Sequence, residues 1–262
     1  MELQDSKIIQ EAMSRPDKDE WKAAMDDKIN SLNINKTWEL AEMPHDREPI
    51  EDANGFSKLS KMQMEIHANI KQDWLLKGSQ KYSTDYDEVF APVVRPTTFR
   101  TLLVIAGNRN FIVKHIDAKT AFLNGELENV IYMRQPKDNE VPDKEHMVCK
   151  LNKCIYRLKQ AARVWNEKLH TILEGHGFKQ SQTDPCLYSK VVDNIWIYLI
   201  IYVNDIIIGS KEERVVSDTI DLLRKNFNII DLGNLRNYLG MSIKRDDKGI
   251  FYLNQPRYIK RK

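Results

Sequence analysis

The feature that most constrains the fold is a long apolar run close to residue 200. Residues 195–203 are rich in β-branched and aromatic side chains, which predicts a buried β-strand. Asn204 and Asp205 follow, and both residue types suit the tight turn of a hairpin. Three isoleucines and a glycine at 206–209 predict the returning strand. The run therefore predicts a buried hairpin that carries a carboxylate at its turn.

The same run argues against a membrane span. A bilayer crossing needs about 20 consecutive apolar residues. The stretch from Ile195 to Ile208 is shorter than this, and it contains Asn204 and Asp205. The N-terminus is polar, which excludes a secretory signal. The sequence predicts a soluble intracellular protein, in the cytoplasm or the nucleus, with no membrane partner.

Composition narrows the class only a little. The chain has 40 basic and 38 acidic residues and a formal charge of +2, so a nucleic-acid-binding surface would have to be a local basic patch. The 3 cysteines, at positions 149, 154 and 186, include no Cys-x-x-Cys pair. This pattern argues against a disulfide framework or a zinc site and fits a reducing compartment. Oligomeric state is left open.

Hydrophobic periodicity predicts further elements around the hairpin. Apolar residues at helical spacing predict helices at 20–32, at 96–107, at 160–174 (closed by Gly175) and around 216–227. Other apolar stretches predict a strand at 111–117 and a last hairpin formed by 238–243 and 249–253. The order of strand, helix, hairpin, helix and hairpin predicts an α+β fold, an antiparallel sheet backed by helices.

Two acids stand where strands are predicted to end. Asp117 closes the strand at 111–117, and Asp205 stands in the hairpin turn. Clustered carboxylates at such places can hold two Mg²⁺ ions about 3.5–4 Å apart for phosphoryl transfer. An isolated aspartate at a strand end is more often a turn residue or a cap. Spacing alone leaves both interpretations open.

Five segments carry a more specific pattern. Residues 115–125 read HIDAKTAFLNG, and residues 202–205 read YVND. The other three segments are FAPVVR at 90–95, IYRLKQAARVW at 155–165 and YLGM at 238–241. In their order along the chain they resemble the reverse transcriptase domain of copia-type retrotransposon Pol polyproteins, and the likeness extends from Trp21 to Tyr258. The resemblance implies a right-hand polymerase palm with partial fingers and an RNA-directed DNA polymerase activity.

The resemblance assigns roles to individual residues. Asp117 and Asp205 would bind Mg²⁺, with Mn²⁺ as an alternative, and Phe122 would act as a steric gate against a ribose 2′-hydroxyl. Residues implied to contact the nucleotide are Ala118 (through its backbone), Phe122 and Gln160. Residues implied to contact nucleic acid are Arg163 and the primer-grip residues Tyr238, Leu239, Gly240 and Met241. The implied partners are an RNA or DNA template with its primer, and deoxynucleoside triphosphates.

The resemblance also divides the chain into three parts. Residues 1–95 would be an N-terminal and fingers region, and residues 96–230 would be the palm with the catalytic motifs. Residues 231–262 would hold the primer-grip hairpin and a truncated start of the connection region. Ribonuclease H, aspartic protease and integrase segments are not expected in this sequence.

Asn204 is a first departure from the family, which usually has YVDD where this chain has YVND. An amide is neutral and offers one weak oxygen ligand, so the catalytic site loses a charge that would balance the metal ions. Arg157, in place of the usual glycine, is a second departure. We expect polymerase activity to be abolished or severely reduced. The alternatives are a non-catalytic nucleic-acid-binding remnant and a non-functional pseudogene product.

Residues 54–77 match the family poorly. Codons that fit this stretch, read in a shifted frame, spell KWVFKI, DANGN and YKARLVAK, which resemble the fingers segments of the family. We hypothesise that residues 54–77 are translated out of frame, between compensating insertions or deletions near Ala53 and Gly78. The fingers lysine and arginine would then not be encoded, and we expect little order there. The coding DNA tests this hypothesis directly.

Overall fold

The fold is given by a computed structural model that describes residues 19, 30–50, 80, 86, 88–136, 140–155 and 158–255. In chain order its elements are β1 (Trp38–Ala41), α1 (Pro96–Asn108), β2 (Ile112–Ala118), a short 3-10 helix (Ala121–Asn124), β3 (Glu126–Arg134), β4 (Val148–Lys153), α2 (Ala161–Gly175), β5 (Lys179–Gln180), β6 (Leu187–Val192), β7 (Ile195–Tyr202), β8 (Asp205–Ser210), α3 (Glu213–Asn226), β9 (Ile229–Asn234), β10 (Asn237–Tyr238), β11 (Met241–Arg245) and β12 (Phe251–Asn254). In this part of the chain the strands form three antiparallel sheets, so the fold is mixed α/β.

Some sequence predictions lie outside the described residues. Only the end of the helix predicted at 20–32 is described, and residues 30–34 are helical. The segment 54–77 and position 157 lie outside the described residues, so the frame hypothesis and the effect of Arg157 stay predictions.

The chain forms two compact units and passes back and forth between them. The first unit comprises Met1–Phe90 and Phe122–Val164. Its sheet has the strand order β1-β4-β3, with every pair antiparallel. Alternate residues of β3, Ile131 and Met133, are each 1% exposed and form part of the core of this unit. The alternation arises because successive side chains of a strand face opposite sides of the sheet.

The second unit comprises Ala91–Ala121 and Trp165–Lys262. Its main sheet has the order β5-β6-β7-β8-β2-β9, and a smaller sheet has the order β10-β11-β12. Ile207 belongs to the core that includes α1, whereas Ile206 and Ile208 are fully buried and face the other side of β8. Because both faces are covered, the apolar run is continuous and does not alternate with polar residues.

The structure confirms most of the predicted elements in the second unit. Helix α1 begins at Pro96 and buries Phe99, Leu102, Leu103 and Ala106, the face predicted from periodicity. Strand β2, helices α2 and α3, strand β7 and the hairpin of β11 and β12 each lie within a few residues of their predicted positions. Helix α3 packs against β8, β2 and β9.

Two predicted details are wrong. Gly175 does not close α2: it is the last helical residue, and Gly177 takes the positive φ (81°) that ends the helix. The N–H of Gly177 donates to the carbonyl of Glu174, and the N–H of Phe178 donates to that of Leu173. This is a Schellman motif, whose geometry needs a left-handed residue at the position of Gly177.

The second wrong detail concerns the β7–β8 hairpin. Tyr202 pairs with Asp205, so the two turn residues are Val203 and Asn204, and Asp205 is the first residue of β8. The predicted Asn204–Asp205 turn is therefore shifted by one residue. Strand β7 pairs with β8 up to its last residue, Tyr202. The register of this pairing, and not the local preference of Asn and Asp for turns, therefore sets the position of the turn.

Two further observations concern the helices and the cysteines. None of the helices among the described residues combines the length and the apolar character that a bilayer crossing requires. Cys149, Cys154 and Cys186 are buried, and none of them forms a disulfide with a described residue. Burial raises the pKa of Cys154 and of Cys186 to about 12, so both stay protonated and poorly reactive at neutral pH.

Candidate active site

Strands β2 and β8 bring two of the predicted acids side by side. Asp117 near the end of β2 is the cross-strand partner of Asp205 at the start of β8. The N–H of Ala118 donates to the carbonyl of Asn204 at 2.8 Å, which fixes the end of this ladder. Asp117 is 5% exposed, whereas the side chain of Asp205 is 32% exposed. The structure therefore brings together four of the predicted residues: Asp117, Ala118, Asn204 and Asp205. The backbone N–H of Ala118 is already bonded within the protein, to the carbonyl of Asn204.

The turn of the β7–β8 hairpin is strained. Val203 has a φ of 54°, in the left-handed region that favours glycine. For a residue with a Cβ this conformation costs roughly 1–2 kcal/mol. Trp165 of α2, 1% exposed, donates from its indole nitrogen to the carbonyl of Val203 at 2.7 Å. The Trp165 ring in turn packs edge-on against Phe227 at 4.9 Å. A buried tryptophan thus holds the strained turn in place.

Asn204 points its amide at the first acid. Its Nδ2 donates a short hydrogen bond to Oδ2 of Asp117. A carboxylate can only accept hydrogen bonds, so the amide nitrogen, and not its oxygen, must face Asp117. In this orientation Asn204 presents a donor where an aspartate would present a metal ligand.

His115 binds the second acid, and sequence reasoning had not singled it out. Its Nε2 lies 2.8 Å from Oδ1 of Asp205. Since the carboxylate only accepts, the imidazole is the donor. His115 is 12% exposed, less than its partner. The signal in the sequence was its position two residues before Asp117, which places both side chains on one face of β2.

The predicted primer-grip residues form a tight hairpin. Tyr238 pairs with Met241, and Leu239 and Gly240 between them have φ values of 48° and 76°. Two consecutive positive φ values are typical of a type I′ turn. Tyr238 and Met241 are 2% and 7% exposed, so they lie in the core, while Gly240 is exposed. Their predicted contact with nucleic acid stays a prediction.

Tyr238 lies against His115. Its ring is 4.6 Å from that of Phe99 and 6.1 Å from that of His115, with the His115 ring perpendicular to it. Its buried hydroxyl has no hydrogen-bond partner among the described residues. Burial, followed by the nearby carboxylate of Asp205, raises the pKa of Tyr238 well above its usual value. The hydroxyl therefore stays neutral.

The remaining predicted residues belong to the first unit. Phe122 is partly buried and packs against the core of that unit. Gln160 is 6% exposed and accepts a hydrogen bond from Nε2 of Gln80 at 3.0 Å. Arg163 lies 3.7 Å from a carboxylate oxygen of Glu88 and 3.6 Å from one of Glu128. Their predicted contacts with nucleotide or phosphate stay predictions, and two acids lie beside the arginine.

Comparison with known proteins decides the family. The profile of the reverse transcriptase (RNA-dependent DNA polymerase) family matches residues 35–262, a range that contains the whole cluster of His115, Asp117, Asn204 and Asp205. The chain belongs to the reverse transcriptase family. This confirms the resemblance to the reverse transcriptase domain of copia-type retrotransposon polyproteins.

The individual relatives are retrotransposon polyproteins. The reverse transcriptase domain is 38% identical over 97% of its length to the Retrovirus-related Pol polyprotein from transposon TNT 1-94 of Nicotiana tabacum, covering 19% of that protein. It is 34% identical over 92% of its length to the Pol polyproteins from transposons RE1 and RE2 of Arabidopsis thaliana, covering 17% and 16% of them. The chain therefore spans less than a fifth of the length of these curated relatives.

Reverse transcriptases use divalent metal ions, but the side chains of Asp117, Asn204 and Asp205 do not fit such ions as they stand. The described residues contain no group of three or more histidine, cysteine, aspartate or glutamate side chains that could hold a metal ion. One oxygen of Asp117 accepts from Asn204, and one oxygen of Asp205 accepts from His115. Divalent cations of this kind prefer bare carboxylate oxygens. Each acid instead has a hydrogen-bond donor from the protein.

Proposed function

We propose that this reverse transcriptase domain has lost its DNA polymerase activity or retains only a small part of it. The observation that supports the proposal is the amide of Asn204 donating to Asp117. Two-metal nucleotidyl transfer depends on carboxylates that balance the charge of the ions and fix their separation. A neutral amide with its N–H towards Asp117 removes a charge and adds a donor that competes with a cation for the acid.

By descent, the substrates would be those of the family. The template would be RNA or DNA with a primer, the other substrates would be deoxynucleoside triphosphates, and the ions would be Mg²⁺ or Mn²⁺. Residues 96–230 would correspond to the palm, residues 1–95 to partial fingers, and residues 231–262 to the primer-grip hairpin and the start of the connection. The antiparallel sheet that carries Asp117 and Asp205 supports the palm assignment.

Primer extension by the purified domain tests the proposal. The unmodified protein is expected to extend a primer at or near background, and Asn204→Asp is expected to raise the rate by at least about tenfold, since each 1.4 kcal/mol of barrier is a factor of ten. Asn194→Asp is a matched control because it makes the same change in the turn at the other end of β7. It is expected to leave the rate at background. Equal, readily measurable extension by the unmodified protein and Asn204→Asp would contradict the proposal.

A second candidate function is binding of nucleic acid without catalysis. Lys119, two residues after Asp117, is exposed and forms no ion pair with a described acidic residue. Lys159 is also exposed, and its Nζ contacts the hydroxyl of Tyr86 at 2.9 Å. Contacts with phosphates need cations and not metal ligands, so this binding can persist although Asn204 replaces the metal-binding carboxylate of the family.

Salt dependence of primer–template binding tests this second function. Binding that weakens steeply with salt is expected, and Lys119→Ala should lower the slope of log affinity against log salt by about one. Lys225→Ala, a change at the exposed C-terminal end of α3, should leave that slope unchanged. Absence of binding, or binding that does not depend on salt, would argue for a protein without a nucleic-acid function.

A further inference from the structure

Both acids at the end of the β2–β8 ladder are bound from within the protein. Asp117 accepts from Nδ2 of Asn204, and Asp205 accepts from Nε2 of His115 at 2.8 Å. The donor to Asp117, Asn204, occupies the position where the family has an acid. The second donor lies on β2 itself, two residues before Asp117, and nothing in the YVND motif indicates it.

The geometry explains why these acids need compensation. Asp117 and Asp205 are cross-strand partners, and like charges directly opposite each other destabilise a pair of strands. A bound cation would offset this repulsion. In this chain the donors of Asn204 and His115 offset it, one for each carboxylate. The imidazole of His115 is largely buried, 12% exposed, with its ring edge-to-face with that of Tyr238.

We propose that His115 is a positioning residue that holds Asp205 within the sheet and thereby competes with metal binding. Replacing Asn204 by aspartate would then rebuild only part of the metal site, because Asp205 would still be held by His115. The inference rests on the proposed loss of activity, and it adds a second cause to that loss. His115 and Asn204 together take the place of a cation between two opposed carboxylates.

Titration of the protein with Mn²⁺ alone tests the inference, with the electron paramagnetic resonance signal of free Mn²⁺ as the readout. His115→Leu removes the donor and keeps an apolar side chain beside Tyr238. In the Asn204→Asp background, His115→Leu is expected to tighten the Mn²⁺ dissociation constant by about tenfold, the effect of losing one competing hydrogen bond to a charged group. His115→Gln offers an amide donor of similar reach and is expected to bind Mn²⁺ as weakly as Asn204→Asp alone.

His146→Leu is the matched control. His146 also lies near a carboxylate, 3.5 Å from an oxygen of Glu42, but its side chain is 65% exposed and belongs to the first unit. In the Asn204→Asp background it should leave the Mn²⁺ affinity unchanged. Equal Mn²⁺ affinities for Asn204→Asp with and without His115→Leu, in proteins shown to be folded by circular dichroism, would overturn the inference. If His115→Leu does not fold, His115→Val, a strand-favouring residue, replaces it in the same comparison.

A second measurement needs no substitution at His115. In the unmodified protein, long-range ¹H–¹⁵N spectra of the histidine side chains should show the His115 proton on Nε2, with no change on addition of Mg²⁺. A proton on Nδ1 alone would overturn the inference, as would a Mg²⁺-dependent change. Neither measurement uses a primer or a nucleotide, so active extension by the unmodified protein would refute the proposed loss of activity without altering these readouts.

Discussion

The indole nitrogen of Trp165 donates to the carbonyl of Val203 at 2.7 Å, and this bond joins helix α2 to the strained turn of the β7–β8 hairpin. The turn carries a β-branched residue at a φ of 54°, so it needs an external contact to keep its shape. The tryptophan is 1% exposed and has no route to an alternative partner in water. The shape of the site therefore depends on a residue that contains no catalytic group.

Trp165→Phe should destabilise the protein by about 2 kcal/mol, because it removes the donor, leaves the Val203 carbonyl without this partner and leaves a void beside Phe227. The free energy of unfolding from urea titration measures this effect. Trp196→Phe is the control: Trp196 is 45% exposed, and its loss should change stability by less than about 0.5 kcal/mol. Equal effects of the two substitutions would show that the indole bond contributes nothing.

Tyr238→Phe should leave stability unchanged or raise it by up to about 1 kcal/mol, because it removes a buried hydroxyl that has no partner among the described residues. Tyr188 provides the comparison. It is fully buried, and its hydroxyl contacts Nδ1 of His170 and accepts from Nε2 of Gln180, both at 2.9 Å. Tyr188→Phe should therefore cost about 1–2 kcal/mol. Thermal unfolding of both variants decides the matter, and a larger loss for Tyr238→Phe would refute the assignment of an unpartnered hydroxyl.

Asn204→Asp should destabilise the protein when no metal ion is present, by about 1–3 kcal/mol, since a new carboxylate would face Asp117 in place of a donor. Added Mg²⁺ should restore part of this loss in Asn204→Asp and should not stabilise the unmodified protein. Melting temperatures in EDTA and in millimolar Mg²⁺ measure both effects. Identical melting temperatures in EDTA for the two proteins would be incompatible with this account of the site.

Asp184 links stability to pH. Burial opposes its ionisation, but hydrogen bonds from Oγ1 of Thr98 and from the backbone N–H groups of Arg95 and Cys186 outweigh burial and lower its pKa. A carboxyl group with a lowered folded pKa contributes stability that is present above its unfolded pKa, about 3.9. That contribution is lost as the pH falls through the folded pKa.

Asp184→Asn should therefore cost about 2 kcal/mol at pH 7, and the difference from the unmodified protein should shrink below about pH 4. Urea titrations between pH 7 and pH 3 give the two curves. Asp247→Asn, at an exposed position, should give a curve parallel to that of the unmodified protein. A constant gap between Asp184→Asn and the unmodified protein across the whole range would show that the carboxylate is not stabilised in the fold.

Periodicity was enough to predict much of the fold. The buried face of α1 follows from apolar residues at helical spacing. The β7–β8 hairpin follows from its continuous apolar sequence, which is typical of strands that are buried on both faces of a sheet. The exact turn did not follow. Asn-Asp is a good turn pair locally, but Val203 is forced into the turn because Tyr202 pairs with Asp205 across the sheet.

The cluster around the acids was predictable only in part. Asp117 and Asp205 were recognisable from their motifs, and the structure places them opposite each other. The part played by His115 depends on the pairing of β2 with β8, a long-range relationship that no local pattern contains. The end of α2 was misplaced at Gly175 for a similar reason: the actual end of the helix depends on which carbonyls the following N–H groups reach, and Gly177 is the residue with the positive φ.

Strand β2 is hydrogen-bonded on both sides, to β8 and to β9, so its backbone is part of the framework of the sheet. The turn at Val203 and Asn204 lies at the open end of the same sheet, where an exchange of one side chain leaves the ladder intact. A substitution at the turn can therefore change its chemistry while the sheet persists. In this architecture a well-formed fold is poor evidence of a working enzyme, and an inherited scaffold can remain available for other uses.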